Sequence, residues 1–172
     1  VERAAREGDV LAGASLGGLL ALACASVVRP AALVLVNAMP PATWHSMLPV
    51  REAYPEVIPW GSEASLAGTR AVMPDADDAA CLYAFRRWRD ESGAVMNAAR
   101  AGVDVARPPC PVLVMASELD EDVPVAASVA LAEMLGASLI RVAGASHVGP
   151  LLGRHAASCA MQAIAWLRPA IA

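Results

Sequence analysis

The chain has 172 residues and a formal net charge of −4; 57% of the residues are hydrophobic, 4% aromatic and 17% charged. A charged fraction below the usual ~25% in so apolar a chain excludes intrinsic disorder, and one domain of this length buries roughly 70% of the surface its unfolded form exposes. All 13 basic residues are Arg, which removes lysine Schiff-base, pyridoxal and phosphate-loop chemistry, and no basic stripe points to nucleic acid.

Taken in order, the elements alternate between short β-like runs and helix-like segments, the pattern of a parallel sheet flanked by helices. Residues 9–14 read as a strand and 16–28 as an Ala/Leu-rich helix that Arg29-Pro30 stops. The uncharged stretch 11–28 has about the minimum length of a membrane span, but Gly13, Ser15, Gly17, Gly18 and Ser26 dilute it, and strand, turn and buried helix explain it better. Residues 32–37 (ALVLVN) and 111–117 (PVLVMAS) are continuous apolar runs suited to central parallel strands. A helix over 125–135 ends at Gly136, a fourth strand covers 138–143, and a helix over 154–167 closes the chain.

The segment 38–107 has a different character. It is Pro-rich, carries Trp44, Trp60 and Trp88, and shows helical spacing over 77–90 with Leu82, Phe85 and Arg89 along one side. An insertion of this size between two strands predicts a mostly helical cap or lid, dividing the chain into 1–37 (core), 38–107 (cap) and 108–172 (core). Cys24, Cys81, Cys110 and Cys159 form no C-x-x-C pair, so buried free thiols are expected, with no metal site and no disulfide framework. The absence of a secretory n-region or cleavage site points to the cytoplasm, and Val1 is not an initiator Met.

Chemistry concentrates in three places. Gly13-Ala14-Ser15-Leu16-Gly17, followed by Gly18, joins a strand to a helix. Glycines around such a sharp turn remove colliding Cβ atoms, leaving Ser15 strained with Oγ exposed and the Leu16 amide free to donate to an oxyanion. A glycine-rich turn with an idle serine is the plainer alternative. Of three histidines, His147 follows the last strand on a loop at the carboxyl edge of the sheet, where it can face Ser15; His45 and His155 carry no such positional argument. Glu118, Asp120, Glu121 and Asp122 cluster after the 111–117 strand. Asp120 is the preferred orienting carboxylate and Asp122 the second choice; the others solvate the loop or cap the next helix.

The segments LAGASLGGLLALA, PVLVMASELDEDVP and GASHVGPLL, in the chain order Ser15, Asp120, His147, resemble the nucleophile elbow, acid loop and histidine loop of the α/β-hydrolase family. The resemblance implies a serine esterase acting on a small or medium ester or lactone, with no cofactor and with Trp44, Trp60, Met73, Leu82, Phe85 and Trp88 as pocket or lid candidates. The same triad could serve thioester, C–C or peracid chemistry. Family members carry several strands ahead of the elbow, and a loop from them, often His-Gly, gives the second oxyanion donor. The residues ahead of Gly13 have room for neither, and Ala116 and Ser117 stand where the acid loop often has Gly. Asn37 occupies the position where some members keep their acid. An inactive fragment or assembly module is therefore a second expectation, with the open sheet edge pairing in a homodimer or with an N-terminal piece.

Overall fold

The computed structural model describes residues 4–171. Strand β1 (Val10–Ala14) turns at Ser15 into helix α1 (Leu16–Val28), which Arg29 closes in a left-handed conformation, and β2 (Ala32–Val36) follows. Then comes the insertion: a 3-10 turn (Ala42–Met47), β3 (Val57–Ile58), α2 (Leu66–Val72), α3 (Asp78–Phe85), β4 (Glu91–Ser92) and α4 (Gly93–Ala101). The core resumes with β5 (Val112–Ser117), α5 (Val125–Leu135), β6 (Ser138–Val142), α6 (Gly149–Leu152) and α7 (Ala156–Ala170).

The main sheet is parallel throughout, in the order β1-β2-β5-β6. Every residue of β2 and β5 is buried, which is why their sequences are unbroken apolar runs rather than alternating ones. The two faces nevertheless separate by parity. Leu33, Leu35, Val112 and Val114 pack against α1 and α5 through Leu22, Ala25, Leu131 and Leu135. Val34, Val36, Leu113 and Met115 pack against α7 through Cys159, Ala163, Trp166 and Leu167. Burying each such Leu contributes about 1.5–3 kcal/mol. The register aligns Ala14 with Val36, Val36 with Met115 and Ser117 with Val142, so the carboxyl ends of all four strands reach one edge. Among the described residues β1 has no partner on its outer side, and an open groove of about 390 Å³ lined by Ala4, Ala5, Asp9, Val10 and Leu11 runs beside it.

Ser65, Asp77 and Ser92 start the insertion helices by accepting the amides of Gly68, Ala80 and Val95. Two expectations are corrected here. The helix expected over 77–90 stops at Phe85, and the chain then turns into β4, which pairs antiparallel with β3. The buried face of α3 is Cys81 and Ala84, packed on Met73 and Trp88, while Leu82 is exposed. The closing helix expected over 154–167 is α7, and Gly153 separates it from the one-turn α6 ahead of it. The four thiols are free; Cys81 and Cys159 are buried, Cys24 and Cys110 half-buried, and burial raises the pKa of Cys110 and Cys159. Among the described residues no helix is long and apolar enough to cross a membrane.

Candidate active site

Ser15 sits at the carboxyl end of β1 with φ 50° and ψ −124°, a conformation L residues rarely adopt. Backbone bonds hold it there. Its N–H donates to Val36 O, and its carbonyl accepts from Gly18 and Met39, all at 3.0 Å. The side chain does not cap α1, so Oγ is left for other work. The Leu16 amide, in the first turn of α1, has no acceptor among the described residues. The glycines divide differently from the sequence expectation. A Cβ on Gly13 would lie 2.3 Å from Gly17 O, and one on Gly18 would lie 2.4 Å from Ala38 Cβ. A Cβ on Gly17 would meet open space, so the crowding lies at Gly13, against the Gly17 backbone, and not at Gly17 itself.

At the same edge, His147 Nδ1 lies 2.7 Å from Asp120 Oδ2. A carboxylate can only accept, so the Nδ1 proton belongs to His147 and the neutral ring keeps its lone pair on Nε2. Asp120 is itself fixed, since its Oδ1 accepts the amides of Asp122 and Val123, each at 2.8 Å, and its side chain is fully buried. Asp122 is exposed and pairs with Arg51 of the insertion at 2.5 Å. Glu118 pairs with Arg141 at 2.9 Å, and Glu121 is exposed. For His147, burial lowers the pKa, the Asp120 hydrogen bond and the charges of Asp120 and Asp122 raise it, and Arg51 lowers it. The balance lies above the ordinary 6.5. Asp120, Asp122 and His147 also bring three potential ligand atoms within 4.8 Å of one another. The facing Asp120 and His147 atoms already bond each other, so the geometry is that of an oriented base.

Asn37, singled out in the sequence only as standing where some family members keep their acid, has a different role in the structure. It is buried at the carboxyl end of β2 with φ 46°. Its Nδ2 donates to Ser117 Oγ at 2.9 Å and to His147 O at 2.6 Å, and its Oδ1 accepts the Ser117 amide at 2.8 Å. Asn37 thereby ties the ends of β2 and β5 to the histidine loop. The sequence signals, an amide closing an apolar run and the family position of an acid, do not point to this bridging role. The aromatic candidates scatter. Trp88 donates to Thr69 Oγ1 at 2.9 Å and packs with Met73 in the insertion's own core. Trp60 is exposed and stacks edge-on against Tyr54, with ring centroids 6.2 Å apart. Trp44 and Phe85 are half-buried. His45 bonds the Ala42 carbonyl, and His155 accepts from Arg154 on the surface at 3.2 Å.

A family model described as "Alpha/beta hydrolase family" matches residues 1–160. The sequence matches none of the curated proteins. Among solved structures, an esterase from Rhodococcus sp. ECU1013 superposes with a TM-score of 0.65 at 21% identity, covering 97% of this chain and 68% of that one. Polyneuridine aldehyde esterase gives 0.63 at 16%, covering 93% and 72%. A bromoperoxidase from Bacillus anthracis gives 0.63 at 17%, covering 95% and 68%. At these identities the likeness is one of fold.

Proposed function

The chain belongs to the alpha/beta hydrolase family, and from that premise we propose that it is a serine hydrolase cleaving small or medium carboxylic esters or lactones through an acyl-enzyme. The observation that carries this reading is the Asp120–His147 pair, with Asp120 buried, on the same sheet edge as Ser15, which has a positive φ and a side chain that does not cap α1. Ser15 Oγ attacks the acyl carbonyl while His147 Nε2 takes its proton, and the Leu16 N–H donates to the developing oxyanion. The C–O bond to the alcohol then breaks as His147 returns the proton to the leaving oxygen. Water repeats the two steps to release the acid. Asp120 keeps the ring in the productive tautomer and stabilises the imidazolium.

Replacing Ser15 by Ala is expected to lower hydrolysis of a chromogenic short-chain ester by about 10⁴-fold or more, with the circular dichroism spectrum unchanged. Retained activity would overturn the assignment. The likeness to a bromoperoxidase keeps other acyl acceptors in view, and a panel of esters, thioesters and peracid-forming conditions ranks them by kcat/KM. The open edge of β1 supports a second reading, in which the chain pairs through that edge with a second copy or with a separate N-terminal piece.

A further inference from the structure

Between α2 and α3 the insertion sends a carboxylate into the core. Asp75 is 8% exposed, and its partners all belong to the segment that carries His147. Its Oδ1 accepts from Ser146 Oγ at 2.6 Å and its Oδ2 from the Ser146 amide at 3.2 Å. Its backbone carbonyl accepts the Arg154 amide at 2.9 Å. The cradle is shaped for this one side chain. A Cβ on Gly149 would lie 2.1 Å from Asp75 Oδ2, and one on Gly153 2.8 Å from it. Beside the polar contact, Met73, Cys81 and Ala84 of the insertion pack against Val148 and Leu152. The residues on both sides of His147 are therefore held by the insertion.

We propose that Asp75 is a positioning residue that locks the His147 loop to the insertion, so that the base keeps its place only while the insertion is seated. The proposal rests on the reading of His147 as the general base. Its physical logic is that Asp120 fixes the ring through Nδ1 and Asn37 fixes the His147 carbonyl, yet neither restrains the chain at Ser146 or beyond Val148. Asp75 supplies that restraint from the other side. Substrate that seats or lifts the insertion would then change the base's alignment as well as access to Ser15.

The test uses Asp75→Ala, Asp75→Asn and Ser146→Ala in the full chain, with ester kinetics and proton NMR of the His147 Nδ1–H that bonds Asp120. In Asp75→Ala, kcat is expected to fall about 10²-fold with KM within about threefold, as a base displaced by roughly 1 Å requires. Ser146→Ala removes one of two bonds and is expected to lose about tenfold in kcat. Asp75→Asn is expected to keep most of kcat, because its amide can accept from the Ser146 N–H and donate to Ser146 Oγ. The Nδ1 proton is expected to exchange faster with solvent in the order wild type, Asp75→Asn, Ser146→Ala, Asp75→Ala. Wild-type kcat and unchanged proton exchange in a folded Asp75→Ala protein overturn the proposal, and so does a loss confined to KM. Should Asp75→Ala not fold, Ser146→Ala decides by the same two readouts. If the wild-type chain hydrolyses no ester, the functional reading fails, and the proton exchange still decides the role of Asp75.

Discussion

Holding Ser15 at φ 50° and ψ −124° costs on the order of 1–3 kcal/mol, and the surrounding backbone makes that conformation obligatory. Gly13→Ala and Gly18→Ala each drive a Cβ into rigid neighbours, so both are expected to lower Tm by several degrees or prevent folding. Gly17→Ala is expected to melt within a few degrees of wild type, which thermal unfolding of the three proteins side by side will check. His147 governs the pH dependence. Because its pKa is raised, its ion pair with Asp120 adds stability that is fully present below pH 6.5 and is lost as pH rises through the raised value. Catalysis runs the opposite way, since the base must be neutral. The acid limb of kcat/KM is thus expected to have its midpoint above 6.5, to move down in Asp122→Asn and to move up in Arg51→Ala. Asp120 could be picked from its loop and its distance ahead of Val123. The bridging role of Asn37 could not, because its partner Ser117 lies 80 positions away and only the β2–β5 pairing brings them together. Asn37→Ala, which strands the buried Ser117 amide, is expected to destabilise the fold by about 1–3 kcal/mol in urea unfolding.

At the level of elements, the sequence is most readable where burial is two-sided or where a helix is long. Strands β2 and β5 announce themselves as unbroken apolar runs, and α1 and α5 end at Arg29 and Gly136, both left-handed. The insertion is less readable because its elements are short and its core is small. A rotation of about 100°, one residue's step around the helix, decides whether Leu82 or Cys81 faces Met73, and periodicity over eight residues does not resolve that. Helix α4 had a usable signal in Ser92 as its cap with Met96 and Ala99 on one face. Two-residue strands such as β3 and β4 have none. The outer edge of β1 carries an element-scale prediction of its own. Light scattering across a concentration series is expected to show species heavier than one chain, unless an N-terminal piece is supplied. A single-chain species at every concentration, with no such piece present, overturns the pairing.

For the whole molecule, the position of the insertion sets the order in which the fold can be made. Each pairing of the main sheet is parallel, so none of them can form as a local hairpin. After synthesis of β2, the next strand able to cover its free edge is β5, and the entire insertion must be made first. At equilibrium this costs little, since each doubling of a loop adds only about 0.6 kcal/mol. In time it costs more, because distant pairings slow folding. A nascent chain that has reached Ala101 holds β1, α1 and β2 with the apolar face destined for α7 still bare. The insertion that reaches the histidine loop is therefore also a delay line, and the interval it imposes is when a ribosome-bound chain is most open to chaperones and to misassembly.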